Sequence, residues 1–117
     1  MTILDFTEEE IKSLNYEFPL WESYELEPGT YPTQVETINT VASPNILIVR
    51  EDVPEKIVYD MTKMLWENLA TLQEIHSATD SMSIDSALAG VTVPLHSGAY
   101  RYYVEQGVNI PEHLQTR

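Results

Sequence analysis

Cysteine is absent from this 117-residue chain. That excludes disulfides and thiolate metal ligands, and it fits either the cytoplasm or a bacterial periplasm. Basic residues are scarce, 6 Lys and Arg against 19 acids for a net charge of −13. A field of that sign repels phosphate backbones and anionic membranes, so no nucleic acid is expected as a partner. One local cation or helix N-terminus would still suffice for a small anion. Only four glycines occur, all isolated, so no phosphate-cradling loop is present. No stretch approaches the roughly 18 apolar residues of a membrane span. The N-terminus MTILDFTEEEIKSL has neither a basic nor an apolar leader region, which predicts a chain without an export signal of its own.

What is present is a globular composition: 43% apolar residues and seven Tyr beside two Phe and two Trp. The length suits a single domain over residues 1–117 with a core of its own. Tyrosine buries its ring but needs a partner for its hydroxyl, so it suits half-wet clefts and interfaces.

Along the chain, Thr7-Glu8-Glu9-Glu10 reads as a capping box opening a short helix, with Ile11 and Leu14 on one face and Asn15 as a stop. Residues 19–34, PLWESYELEPGTYPTQ, read as irregular or extended chain turned by Pro28-Gly29. Residues 35–42, VETINTVA, alternate as a strand, and ILIVR at 46–50 reads as a strand buried on both faces. The best helix runs from about 53 to 74, capped by Asp52 with Glu55 completing the box and with a possible break near Ala70. Its apolar stripe is Ile57, Met61, Leu65, Leu69 and Leu72, flanked by Val58, Met64 and Trp66. Residues 83–89 read as a short helix capped by Ser83 and ended by Gly90. A last helix opens at His96 or Ser97 and runs to about Gln106, with Gly107 closing it, and Pro111 starts a final turn. The fold class is therefore α+β, mostly helical with a short β pair.

Candidate chemistry is sparse. His76, His96 and His113 lack metal-ligand spacing, and neither a metal nor another cofactor is implied. Ser97 adjoins His96, but neighbours rarely face one another and no nucleophile elbow surrounds them. Nothing specifies an enzyme. The turn His96-Ser97-Gly98-Ala99 serves either as a core turn, with small residues allowing close backbone approach, or as an anion site at a helix N-terminus.

Several segments stand in one order: GTYPTQ at 29–34, then NTVASPNILIVREDVPEKIVYDMTKMLWENL, then His76, then VPLHSGAYRYYVEQG at 93–107. Together they resemble the C-terminal part of the TAXI family of TRAP-transporter solute receptors. That family has a G-T-Y-P-G-Q turn, a V-Y-x-x-T-K helix and a P-L-H-P-G-A-x-R-Y-Y-x-E-x-G ending. Thr33 replaces the turn glycine, which implies a negative φ there, and Ser97 replaces a proline.

The resemblance implies the C-terminal portion of a two-lobed periplasmic binding protein of type II. It further implies a non-enzymatic, periplasmic receptor for organic acids or amino acids that works with TRAP permease membrane subunits. Tyr31 and Gln34 are the candidate substrate-binding residues, offering a phenol and an amide, or else they form a structural hinge turn. The chain would be a fragment that leaves an apolar face to cover, most simply as a homodimer. The alternative is a free-standing, self-associating structural module that binds no ligand.

Overall fold

The computed structural model describes residues 3–116. Among them it is α+β: four α-helices and one two-stranded antiparallel sheet. The chain divides into two compact units, Met1–Asn45 and Ile46–Arg117.

In the first unit, helix α1 (Glu8–Glu17) begins where the capping box requires. Thr7 Oγ1 accepts from the Glu10 amide at 3.3 Å, and the Glu10 carboxylate accepts from the Thr7 amide at 2.8 Å. It runs two residues past Asn15, whose Nδ2 instead donates to the Trp21 carbonyl at 2.9 Å. Strand β1 (Glu22–Leu26) lies inside the stretch expected to be irregular or extended. Strand β2 (Ile38–Ala42) pairs with it so that Tyr24 faces Thr40 and Leu26 faces Ile38. Asp5 and Phe6 bond to the Asn39 backbone at 2.8 and 2.9 Å, occupying part of the free edge of β2. Among the described residues of this unit only Ile11 is buried.

The second unit is built on helix α2 (Glu55–Glu67), helix α3 (Leu69–Ile75) and helix α4 (Ser97–Glu105). The long helix breaks at Asn68, two residues from the break expected near Ala70. The Asn68 side-chain amide takes the Met64 carbonyl at 2.7 Å, competing with the ladder, and its backbone leaves helical angles. Asp52 does not cap α2. Its carboxylate is held by both arms of Arg50, at 2.9 and 2.7 Å, and the helix starts after Pro54 without a side-chain cap. Residues 83–89 form successive four-residue turns, not a helix: the Ser83 and Ser86 hydroxyls bind one another, the Ser83 hydroxyl accepts from the Ser86 amide, and the Ser86 hydroxyl donates to the Ser83 carbonyl. Residues 46–50 form no strand: Leu47 and Ile48 are 72% and 77% exposed and pair with nothing among the described residues. The apolar run has strand chemistry but no neighbouring strand to complete a ladder.

Helix α4 ends as its sequence predicts. Gly107 takes φ +75°, its amide bonds the Val104 carbonyl, and the Val108 amide bonds the Tyr103 carbonyl, which is the Schellman arrangement. At its start His96 is the cap, and Ser97 is the first helical residue. His96 Nδ1 accepts from the Gly98 amide at 3.1 Å, so the ring's proton sits on Nε2, 3.0 Å from the Val53 carbonyl. One imidazole therefore ties the approach to α2 to the first turn of α4.

The α2–α4 contact is the core. Val58, Tyr102 and Tyr103 are buried in it, and Leu114, in a single 3₁₀ turn at Glu112–Leu114, is 1% exposed and is the fourth buried hydrophobic side chain among this unit's described residues. Tyr59, Tyr102, Tyr103 and Trp66 form a run of edge-to-face rings at 5.9, 6.0 and 6.5 Å. The helices approach so closely that a methyl group on Gly98 would strike the Glu55 carbonyl and lie 2.5 Å from the Tyr59 nitrogen.

The obstructing atoms are backbone, so Gly98→Ala should destabilise the second unit by about 3 kcal/mol. A chemical denaturation curve read through Trp66 fluorescence checks this, and a midpoint within error of the parent contradicts the close-packing account.

Candidate functional site

Tyr31 and Gln34 come together in the loop between β1 and β2, where local bonding dictates the shape. Thr30 caps a turn onto the Glu27 carbonyl, through its amide at 3.1 Å and its hydroxyl at 2.6 Å. Tyr31-Pro32-Thr33-Gln34 is a second turn, closed by the Gln34 amide on the Tyr31 carbonyl at 3.1 Å. Proline fixes a negative φ at its first central position, and Thr33 at the next has φ +74°, so the turn is type II. The expectation of a negative φ at Thr33 is thus corrected. Pro32 and the ring of bonds around Gln34 set the backbone, and the β-branched residue is carried into the left-handed region at a cost.

Gln34 latches this loop. Its Nε2 donates to the Leu26 and Glu36 carbonyls at 3.1 and 2.9 Å, and its Oε1 accepts from the Tyr31 amide at 3.2 Å. Both donor hydrogens are used, which leaves one acceptor lone pair for any ligand. The Tyr31 ring is 42% exposed and no hydrogen bond engages its hydroxyl among the described residues. The two residues share an open depression of about 310 Å³ with Asp5, Pro32, Glu36 and Ile38, among others. Its charged groups are carboxylates, with no lysine or arginine in the wall. Such a surface favours a ligand's amine over its carboxylate.

A second polar cluster lies across the exposed side of the α2–α4 pair. The Tyr59 hydroxyl donates to Glu105 at 2.6 Å, and Arg101 Nε donates to the other oxygen of Glu105 at 3.1 Å. The Arg101 guanidinium also reaches Glu55 at 3.5 Å and lies 4.8 Å from the centre of the Tyr59 ring. The bonds from Tyr59 and Arg101 hold the Glu105 carboxyl below its usual range, and the Glu105 carboxylate raises the Tyr59 phenol and the Arg101 guanidinium. Because Arg101 has both its neighbouring acids, this cluster joins the helices rather than offering a free cation. Only its Arg101–Glu105 spacing was legible in sequence. Tyr59 and Glu55 enter from 46 residues away.

In the turn at 96–99, offered above as a core turn or an anion site, the core-turn features are visible. The Gly98 amide is taken by His96, and α2 backbone fills the space in front of it. His76 caps its own 3₁₀ turn at Ser77–Thr79 by accepting from the Ala78 amide at 3.0 Å. Among the described residues no three His, Asp or Glu side chains cluster as metal ligands.

Comparison with protein families matches residues 1–107 to the model of the NMT1-like family, a family of periplasmic binding proteins. The match supports a solute-binding role and an extracytoplasmic place. No described helix is long and apolar enough to cross a membrane.

Thr33→Gly should stabilise the first unit by about 1 kcal/mol, since glycine adopts φ +74° without the Cβ clash. A higher midpoint in Trp21 fluorescence on heating would agree, and a lower one would contradict the strained turn. The Glu105 carboxyl is depressed in the folded state, so its stabilisation is complete above the usual 4.5 and is lost as pH falls through the lowered folded value. Thermal midpoints from pH 6 to pH 3 should therefore separate the parent from Glu105→Ala at the upper end and converge in acid. A gap independent of pH would show that the Tyr59–Glu105–Arg101 contacts contribute nothing through charge.

Proposed function

The chain belongs to the NMT1-like family, and on that footing we propose that it is a partial extracytoplasmic solute-binding component of a TRAP-type transporter. It corresponds to the C-terminal part of a TAXI receptor of the type II binding-protein fold, and it recognises an organic acid or an amino acid for TRAP permease subunits. The observation that carries this reading is the family match across most of the chain. The use made of the motif residues supports it: His96, Gly98, Tyr102 and Tyr103 are all spent on the α2–α4 core. Residues of that kind specify a fold and leave recognition to other positions, which favours a binding protein over an enzyme.

Recognition is assigned to the loop at 29–36, with Tyr31 as the contact and Gln34 as the latch that presents it. Of the two ligand classes, the acidic wall of the depression favours an amino acid, whose ammonium group meets Asp5 and Glu36. A simple dicarboxylate would need a cation that this loop does not supply.

Thermal shift against a panel of amino acids and dicarboxylates tests the assignment. A ligand at about 100 times its Kd adds roughly 2.7 kcal/mol, a rise of several degrees. At least one amino acid should give a saturable rise that Tyr31→Ala abolishes. A flat response to the whole panel contradicts ligand binding by this chain. A rise unaffected by Tyr31→Ala contradicts the site.

A further inference from the structure

Helix α2 is apolar on two sides. One side, with Val58, Tyr59 and Trp66, meets α4 or approaches it. The other carries Ile57, Met61 and Met64, which remain 50%, 45% and 64% exposed. At 3.6 residues per turn the two stripes lie roughly 140° apart. A helix with two such stripes belongs between two layers, and only one layer is present.

Just ahead of the same helix runs Ile46–Val49. Leu47, Ile48 and Val49 are 72%, 77% and 37% exposed, and residues 46–49 make no backbone hydrogen bond to other described residues. The run offers apolar side chains on both faces and an unpaired backbone, the condition under which strands pair across chains.

We propose that Ile46–Val49 and the Ile57–Met61–Met64 stripe form one interface, occupied by a second copy of this chain. The two copies of residues 46–49 pair antiparallel across a two-fold axis, and the α2 stripes pack beside them. Charge selects the location. Each copy carries −13, so two copies can meet only where charge is missing. The segment 43–49 and the three stripe residues hold none. The nearby cations are already neutralised within the chain: Arg50 by Asp52, Lys56 by Asp60 and Lys63 by Glu67. Beside this patch Glu51 alone pairs with no cation among the described residues, which leaves a basic partner a single charge to recognise.

The area fits a weak dimer. Side chains of these types carry roughly 60–120 Å² of apolar surface each, so the exposed fractions leave about 300 Å² per copy to cover. Interfaces are a little over half apolar, which puts the total near 1,000 Å², the lower edge for specific association. Dissociation in the micromolar range or weaker follows. This inference is independent of which solute the loop at 29–36 takes.

Sedimentation velocity over about 1–500 μM, at low salt and near 1 M NaCl, tests it. The expected result is a monomer–dimer equilibrium that tightens several-fold with salt, because screening removes repulsion between acidic copies. Ile48→Lys and Met61→Glu should each give a monomer throughout. Both positions are exposed in the single chain, so the circular dichroism spectrum of each should match the parent. Tyr16→Lys, at an 88% exposed aromatic in the first unit, should dimerise like the parent. A parent that stays monomeric at every concentration overturns the proposal. So does a dimer that survives Ile48→Lys and Met61→Glu, one lost in Tyr16→Lys, or one weakened by salt.

Discussion

The structure of the second unit depends on one close approach. Helix α4 lies against α2 with only a hydrogen where a side chain would be, at Gly98, and the His96 ring fixes the first turn of α4 to the segment before α2. That spacing puts Tyr102 against Tyr59 and Tyr103 against Trp66, and it brings Glu105 to the Tyr59 hydroxyl. Widen the contact by a methyl group and the ring ladder, the buried Val58 and the Arg101 cluster all lose their partners together. The histidine, the small-residue turn, Tyr102 and Tyr103 of residues 93–107 thus act together in packing.

The same core shows what remains uncovered. The chain exposes 8900 Å², more than the roughly 7,800 Å² expected of two separate compact bodies of these lengths. The excess has identifiable sources: α2 is seated on one side only, the run at 46–49 has no sheet, and among its described residues the first unit buries only Ile11. The loop of Tyr31 and Gln34 sits in the unit with nine acids and a single lysine.

Features decided within a few residues were legible in the sequence. The Thr7 box and the Gly107 termination depend on groups three to five positions apart, and the His96 cap on an amide two positions on, and all three form where the sequence places them. Features that need a distant partner were not. ILIVR has the composition of a buried strand, but pairing is a property of a neighbour, and none lies beside it. ESYEL became β1 because INTVA offered a register, which no local pattern in a proline-flanked stretch announces. Asp52 was read as a cap, but Arg50 two residues away forms the stronger two-armed contact. At the candidate site the pairing of Tyr31 with Gln34 was visible, whereas the latch role of Gln34 was not. Thr33 was misread because its own preference was weighed above the turn that Pro32 and Gln34 impose.

The central claim is that the α2–α4 seat holds the second unit together while residues 46–49 contribute nothing to that unit's own stability. Hydrogen exchange on dilute chain measures both at once. The account predicts slow exchange for amides inside α2 and α4, with the slowest near Thr62 and Tyr102, and exchange at the unprotected rate for residues 46–49. Protection of 46–49 equal to that of α4 at the lowest concentration, or exchange in α2 and α4 as fast as in the 83–89 turns, would contradict it.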